Sequence, residues 1–282
     1  MIINKEEGII VLILKNCTKS FKKTKALNDF SCEFKHGIYG LLGPNGSGKT
    51  TMMRCICGLL SPEKGSIECD CENIGYLPQQ FGAMKSLTVY VTMRYFATLK
   101  KIPKSNQDNE IRYCIDLVNL SDKIKNKVGS LSGGMVRRLG IAQAIMGNPE
   151  IVLFDEPTAG LDPEERVRFK SLLRKIKNDK TIIISTHIVS DVKSICDEIV
   201  IINEGRNVVQ GTCSDITSIG NEKVFLLDEE YENNLEGNYY VKDRISKDNK
   251  NYIIVLSSNF IEQGVSINAD IEDGYLCALK DI

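Results

Sequence analysis

The segment Gly43-Pro-Asn-Gly-Ser-Gly-Lys-Thr50 constrains the fold more than any other part of the sequence. It follows a short apolar run, residues 38–42, that reads as a buried strand, and a helix is predicted from Lys49 to the glycine at position 58. Its glycines let the backbone curl so that successive N–H groups point at an anion, and the helix start adds the positive end of its dipole. A coincidental glycine-rich turn leaves the flanking strand and helix unexplained. The segment therefore predicts a loop that binds phosphate groups.

Two side chains at the end of this loop suit a nucleotide. Lys49 is placed to reach β- and γ-phosphates, and the hydroxyl of Thr50 is a ligand for Mg²⁺. ATP and Mg²⁺ are therefore the expected ligands.

Continuous apolar runs at residues 151–154 and 181–184 are typical of central parallel strands that are covered on both faces. A helix predicted from about Pro163 to Asn178 joins them into a βαβ unit. Apolar residues at helical spacing predict a helical insert at about residues 85–135, and residues 67–77 read as strand-like. Beyond about residue 215 short strand-like runs predict a small β-rich appendage. We therefore expect an α/β fold with a nucleotide-binding domain over residues 1–214 and an appendage of unknown role over 215–282.

The composition narrows the class of partner. The formal net charge is −1, so there is no basic excess and no nucleic-acid partner is expected. The apolar run at residues 8–14 is far shorter than the roughly 20 residues of a spanning helix, and two glutamates precede it, so it reads as a strand rather than a signal peptide or membrane anchor. Ten cysteines without a secretory signal suggest reduced thiols in a cytoplasm. The pairs Cys55/Cys57 and Cys69/Cys71 are interpreted as small apolar residues rather than metal ligands.

Two adjacent acids, Asp155 and Glu156, end the apolar run at residues 151–154. Ligands of open α/β sheets bind at the carboxyl ends of the strands, so these acids are candidates for catalysis beside the phosphate loop. Asp155 suits the Mg²⁺ side through a coordinated water, and Glu156 suits a general base that positions and deprotonates the attacking water. His187 follows the next apolar run; taken alone, a histidine in this place is more often structural than a sensor of the γ-phosphate.

The segment Leu131-Ser-Gly-Gly134 opens another predicted helix, which carries Arg137 and Arg138. A serine at a helix start followed by glycines is a second anion-binding helix end, although the pattern also fits a plain helix cap. With this segment the sequence resembles the ATP-binding subunit of an ABC transporter over nearly all of residues 9–212. The matching motifs are, in order, the Walker A (43–50), the Q-loop (Gln79), the signature (131–134), the Walker B (151–156), the D-loop (159–162) and the switch histidine (His187).

The resemblance implies an α/β P-loop NTPase core with a mixed sheet, an N-terminal antiparallel β region, the helical insert and the appendage. It also implies the residue roles. Catalysis is expected from Glu156, His187, Gln79 and Lys49. Mg²⁺ is expected on Thr50, Gln79 and Asp155. ATP is expected on Phe21, Gly43, Pro44, Asn45, Gly46, Ser47, Gly48, Lys49, Thr50, Thr51, Ser132, Gly133, Gly134 and Asp162, of which Ser132 to Gly134 and Asp162 act across a head-to-tail dimer.

Two positions depart from the family pattern. Met135 stands where the family often has Gln, and Phe21 stands where an aromatic residue, often Tyr, stacks on adenine. Phe21 has an alternative interpretation as a core residue. Phe81, Met84 and Leu87 line a groove for a membrane partner or belong to the core, and the sequence does not decide between the two.

The resemblance further implies a motor subunit that hydrolyses ATP, is cytoplasmic and peripheral on the inner face of the membrane, and acts with a membrane-spanning permease. It pairs as a homodimer or with a similar chain. The ending Ile271-Glu-Asp-Gly-Tyr-Leu resembles tails of export-type members, which favours export. A soluble ABC protein of translation or DNA repair is an alternative, but those usually hold two ATP domains or a long coiled-coil insertion. A regulator without turnover is another, against which an intact Glu156 and His187 argue.

Overall fold

The computed structural model describes residues 10–71 and 73–282, so Ile9 and the residues before it in the expected first strand lie outside the described part. The strands are β1 (Ile10–Phe21), β2 (Thr24–Lys35), β3 (Gly37–Leu42), β4 (Lys64–Cys69), β5 (Ile74–Leu77), β6 (Ile151–Asp155), β7 (Thr181–Thr186), β8 (Glu198–Asn203), β9 (Arg206–Gly211), β10 (Val224–Asp228), β11 (Tyr239–Lys247), β12 (Lys250–Ser257) and β13 (Val265–Ser266). The α-helices are α1 (Lys49–Ile56), α2 (Val89–Leu99), α3 (Lys104–Leu117), α4 (Gly133–Ile145), α5 (Pro163–Ile176), α6 (Val189–Lys193), α7 (Cys213–Ser218) and α8 (Ile271–Lys280).

A six-stranded sheet in the order β5-β6-β7-β3-β8-β9 forms the centre of the chain. Its first five strands are parallel, and β9 returns antiparallel to β8. Every residue of β6 and β7 is buried, which explains why these strands are continuous apolar runs rather than alternating ones. Val152 and Phe154 pack towards the helices, whereas Ile151 and Leu153 pack towards the antiparallel sheet.

The expected N-terminal antiparallel region is a three-stranded sheet in the order β2-β1-β4. The strand-like stretch at residues 67–77 is not one strand, because β4 pairs with β1 in this sheet and β5 pairs with β6 in the central sheet. Sequence periodicity does not show such a change of sheet, since the two strands have the same local pattern.

The expectation that the cysteines are all reduced is wrong for one pair. Cys69 and Cys71 form a disulfide at the end of β4, with their Cα atoms 5.5 Å apart, inside the range that a disulfide spans. The other eight cysteines, all within the described residues, are free. Cys55 and Cys57 match the expectation of apolar packing, since Cys55 is buried in the core and Cys57 packs against it.

The helical insert consists of α2 and α3 and leads into α4. Thr88 caps α2 by accepting a hydrogen bond from the N–H of Val91 (3.2 Å). Phe81 and Met84 were expected either to line a groove for a membrane partner or to belong to the core. Phe81 packs on Phe96 with ring centroids 6.0 Å apart, whereas Met84 is 39% exposed. Phe81 therefore belongs with the core and Met84 with the surface.

The C-terminal part contains a four-stranded antiparallel sheet in the order β11-β12-β10-β13 and ends with α8. The segment 271–276, noted above as a family-like tail, forms the start of α8. Ile271 and Tyr275 of this helix are buried against Val192 of α6 and Ile199 of β8. The last helix therefore packs back on the central sheet and does not stand apart with the four strands. Among the helices of the described ranges, none combines the length and apolar character needed to span a membrane.

Candidate active site

The loop between β3 and α1 passes so close to its neighbours that glycine is required. Gly48 has φ +114°, and a Cβ atom there would lie 2.2 Å from the carbonyl oxygen of Ala26. Gly46 also has a positive φ, of +82°, but a Cβ atom there would meet no atom within 4 Å. Both glycines keep the backbone curled, and the open side at Gly46 faces the cavity described below.

Lys49 is the first residue of α1 and is buried. Its Nζ donates hydrogen bonds to the carbonyl oxygens of Gly43 (2.6 Å) and Pro44 (2.9 Å), both in its own loop. Burial lowers the pKa of Lys49, and the nearby carboxylates of Glu156 and Asp155 oppose this shift. The ammonium group is thus held against the loop, in a position where an anionic ligand would relieve the cost of its burial.

Asp155 ends β6 and its side chain is fully buried. One carboxylate oxygen accepts from the hydroxyl of Thr50 (2.8 Å) and the other accepts from the hydroxyl of Ser185 (2.6 Å). Ser185 lies opposite Asp155 in the β6–β7 pairing, so the sheet register determines this contact. The Thr50 hydroxyl and the carboxylate therefore form one oxygen cluster, which is the ligand chemistry that Mg²⁺ prefers.

Glu156 follows directly and adopts a left-handed backbone conformation, with φ +51°. Its N–H lies within hydrogen-bonding distance of both the hydroxyl (2.9 Å) and the carbonyl (3.2 Å) of Ser185. Nδ1 of His187 lies 3.1 Å from each carboxylate oxygen of Glu156. A non-glycine residue in this backbone region is uncommon, and at Glu156 the contacts of its N–H with Ser185 hold it there. Here the turn directs the Glu156 carboxylate to His187.

A cavity of about 240 Å³ joins these elements. It is lined by Ala26, Asn45, Gly46, Gly48, Lys49, Thr50, Thr51, Gln79, Asp155 and Glu156. All of these except Ala26 were expected from the sequence to bind nucleotide or metal, or to catalyse. The structure therefore brings the Walker A, Q-loop and Walker B residues to one place at the carboxyl ends of β3 and β6.

The residues present fit a magnesium nucleotide. The buried hydroxyl of Ser47 has no hydrogen-bond partner, and the Gly46 side of the loop is open. Within the described residues no group of three or more His, Cys, Asp or Glu could hold a metal ion by itself. A cation here would take Thr50, Asp155 and Gln79 together with phosphate oxygens, as Mg²⁺ does in nucleotide sites.

Nine expected residues do not line this cavity. Gly43, Pro44 and Ser47 belong to the phosphate loop itself and His187 contacts Glu156, whereas the other five lie elsewhere. Phe21 at the end of β1 is 46% exposed, with the Lys19 ammonium 6.0 Å from the ring centroid, which excludes the alternative that it is a core residue. Ser132 and Gly133 are exposed at the start of α4, and Asp162 is exposed at the start of α5. Ser132 and Asp162 cap their helices by accepting from the N–H groups three residues on. A Cβ atom on Gly134 would lie 3.7 Å from Leu161, so the two helix starts are neighbours on the surface.

Sequence reasoning missed two functional candidates. Ser185 holds both Asp155 and Glu156, and its only signal is its place two residues before His187 on an apolar strand. Arg137 was noted only as a charge on its helix, yet it is buried and its guanidinium donates to backbone carbonyls around the site. No local pattern predicts either contact, because the partners lie 18 to 59 residues away in the chain.

The fold and the site define a nucleoside-triphosphate-binding protein of the P-loop class. The family described as ABC transporter matches residues 27–159. An uncharacterized ABC transporter ATP-binding protein, YxlF of Bacillus subtilis, is 30% identical over 92% of this chain and 90% of its own length. The methionine import ATP-binding protein MetN of Carboxydothermus hydrogenoformans is 33% identical over 73% of this chain and 67% of its own length.

Among solved structures, the ATP-binding cassette MJ0796 in a dimeric post-hydrolysis state with ADP and Pi has a TM-score of 0.65 at 26% identity. The match covers 71% of this chain and 98% of that one. The chain belongs to the family of ABC transporter ATP-binding proteins, and it is an ATPase. The α/β P-loop fold expected from the sequence is confirmed.

Proposed function

We propose that this chain is the motor subunit of a transporter and that two copies, or one copy and a similar chain, close head to tail around ATP. The observation that carries the proposal is that the residues predicted to bind ATP lie in two separate places on the chain. The phosphate loop, Gln79, Asp155 and Glu156 share one cavity, whereas the start of α4 is exposed and does not line that cavity. A second copy would supply that start.

In this arrangement the Lys49 ammonium and the N–H groups of Gly43 and of residues 45–51 hold the β- and γ-phosphates; Pro44 has no N–H. Thr50 and Gln79, with Asp155 through a water, would hold Mg²⁺, which would supply charge neutralisation at the phosphates. Phe21 presents an exposed ring face on which an adenine stacks.

Glu156 acts as the general base for the attacking water. Its carboxylate is buried, and it is oriented by His187 on one side and by the Ser185 contact to its own N–H on the other. Gln79 positions the same water, and His187 senses the γ-phosphate. The contact with His187 orients the Glu156 carboxylate, and a base oriented by a neighbouring group is the usual arrangement for activating a nucleophile.

The facing copy contributes Ser132, Gly133 and Gly134 to the γ-phosphate, with Asp162 beside them. The start of α4 suits an anion, because it has unpaired N–H groups, a positive dipole end and no acidic residue in its first turn. The start of α5 lies beside it on the surface. Closure is then coupled to ATP, since the triphosphate makes contacts that only the closed pair offers, and hydrolysis removes them.

We further infer that the chain works at the cytoplasmic face of a membrane, where a separate permease docks near the exposed Met84 and the partly buried Leu87. Export is the direction that we propose, supported by the similarity of residues 271–276 to tails of export-type members; the relative MetN is named for import. Nucleic acid is not among the proposed partners.

The domain division that we propose keeps the boundary near residue 214, with residues 215–282 as an appendage. Its sheet is separate, but α8 covers Val192 and Ile199 of the ATPase core. A chain that ends at residue 214 should therefore expose this apolar surface and aggregate, which light scattering of the truncated chain tests.

The proposal as a whole is tested with the Glu156→Gln variant and Mg·ATP on a sizing column, alongside phosphate release by the wild type with its membrane partner. An ATP-dependent dimer of the variant and release by the wild type support the proposal. A variant that stays monomeric with saturating Mg·ATP, together with no release by the wild type, would overturn it.

A further inference from the structure

Arg137 makes an unusual set of contacts for a buried cation. It lies one turn after the start of α4 and is 9% exposed. Its guanidinium donates five hydrogen bonds, all to backbone carbonyl oxygens, those of Pro78, Gln79, Asp155, Glu156 and Pro157. Four of the N···O distances are 2.6–3.2 Å. A guanidinium has five N–H donors, so all of its hydrogen-bonding capacity is spent on these two short segments.

The two segments are those that carry the reacting groups. One is the backbone of Gln79, which lines the nucleotide cavity, and the other is the left-handed turn at Glu156. The hydrogen bonds fix where both backbones lie relative to α4. That helix begins at Ser132, the residue proposed to contact the nucleotide of the facing copy. The Arg137 side chain therefore connects the Gln79 and Glu156 backbones of one ATP site to the helix that is proposed to serve the ATP site of the facing copy.

Arg138, the next residue, shows that this role is not shared by every arginine of the helix. It donates to the carbonyls of Val118 and Asn119 at the end of α3, and it pairs with Glu165 of α5 at 3.0 Å. None of these partners lines the cavity. Arg138 ties helices together, whereas Arg137 ties α4 to the backbone of the site.

We propose that Arg137 is a positioning residue for ATP hydrolysis, which fixes the positions of the Gln79 and Glu156 backbones relative to α4. It touches neither nucleotide nor water and acts through these two residues, so the inference rests on the roles proposed for them above. Only a planar fork with five donors reaches both segments at once. Lysine keeps the charge but has three donors on one atom and cannot bridge them.

The test uses the full-length chain with the variants Arg137→Lys and Arg137→Ala, and with Arg138→Lys and Arg138→Ala as matched controls. Steady-state phosphate release gives kcat, a fluorescent ATP analogue gives the Kd of the monomer, and a thermal melt gives Tm. We expect Arg137→Lys to lower kcat by about tenfold to a hundredfold, the size of effect that a displacement of about 1 Å causes at a reacting group. The Kd should stay within about twofold, because the phosphate loop is untouched.

A second readout separates positioning from general stability. The Arg137→Ala variant leaves a space shaped for a guanidinium, so guanidinium ion at tens of millimolar should restore several-fold of its kcat, whereas the same concentration of urea should not. In the Glu156→Gln background, Arg137→Lys should also weaken the ATP-dependent dimer with the Kd of the monomer unchanged. Neither effect is expected for the Arg138 variants.

Loss of kcat in Arg137→Lys that equals the loss in Arg138→Lys and follows Tm would overturn the inference, as would wild-type kcat in Arg137→Lys. If Arg137→Ala does not fold, Arg137→Lys alone decides by the split between kcat and Kd. Failure of the proposed function is distinguishable, because it shows without any Arg137 variant: Glu156→Gln stays monomeric with Mg·ATP and the wild type releases no phosphate, or Glu156→Gln keeps full activity.

Discussion

Nδ1 of His187 lies 3.1 Å from both carboxylate oxygens of Glu156, and the two side chains differ sharply in exposure. The Glu156 side chain is 8% exposed and that of His187 is 49% exposed. The imidazole therefore stands between solvent and a buried carboxylate that lines the nucleotide cavity. Glu156 follows β6 and His187 follows β7, so the pairing of these strands creates the contact.

Replacing Glu156 by Gln should lower kcat by about 10²–10⁴-fold, the usual contribution of a general base, because an amide cannot accept the proton of the attacking water. Phosphate release measures the loss, and a sizing column should show a trapped ATP-bound dimer. Glu262→Gln, at an exposed position in the appendage, is the matched control and should behave as the wild type. Near-normal turnover of Glu156→Gln would exclude the assigned role.

Replacing His187 by Ala should lower kcat by about 10²-fold, in the range for a group that takes part in proton transfer, since Glu156 loses its orienting partner. The Tm should change little because half of the imidazole is exposed. His36→Ala is the matched control, since His36 is the only other histidine and is exposed. Equal kcat values for His187→Ala and His36→Ala would contradict a role in catalysis for the contact between His187 and Glu156.

Replacing Lys49 by Ala should weaken ATP binding by at least about tenfold, because a charge-assisted contact to the phosphates is removed. Binding of a fluorescent ATP analogue measures this. Lys64→Ala, an exposed lysine at the start of β4, should leave the affinity unchanged. An unchanged Kd in Lys49→Ala would count against the phosphate-loop interpretation.

The two loop glycines should respond differently to alanine. Gly48→Ala places Cβ 2.2 Å from the Ala26 carbonyl at φ +114°, so we expect a loss of about 2–3 kcal/mol in the free energy of unfolding. Gly46→Ala meets no protein atom and should lose only about 1 kcal/mol from its backbone conformation. Denaturant unfolding of both variants measures the difference, and equal losses would show that the close approach at Gly48 relaxes at no cost.

The contact between α8 and β11 should make stability depend on pH. Burial pushes the pKa of Asp270 up, but the N–H of Asp273 and the Lys242 ammonium outweigh it, so the pKa lies below its ordinary value. This stabilisation is fully present above the ordinary pKa of about 3.9 and is lost as the pH falls through the lower folded value.

Asp270→Asn should therefore destabilise the chain at pH 7 by up to about 1 kcal/mol, a modest effect because half of the side chain is exposed and screened by water. The difference from the wild type in denaturant unfolding should shrink near pH 3. Asp243→Asn, at an exposed position of β11, controls for the loss of a charge. A difference that is the same at both pH values would exclude the ionic contribution.

Some of the site was predictable because its signals are local. The phosphate loop, the acids at the end of β6 and the histidine after β7 are each set by a few neighbouring residues and by the strand or helix that follows. Their convergence also follows from sequence, since parallel strands present their carboxyl ends at one edge of a sheet. In contrast, the split of residues 67–77 between two sheets has no local signal. β4 and β5 differ in the strands with which they pair, but both have the same local pattern of apolar residues.

The sequence by itself determined the chemistry of this protein, in Gly43 to Thr50, Asp155, Glu156 and His187, because those residue types at those spacings suit one ligand class. Only the tertiary structure decided how that chemistry is held in place. The Ser185 hydroxyl between Asp155 and Glu156, the five carbonyls on Arg137 and the docking of α8 on α6 all join segments that are distant in the chain. Such contacts depend on sheet register and helix packing, which are properties of the whole fold and not of any short stretch of residues.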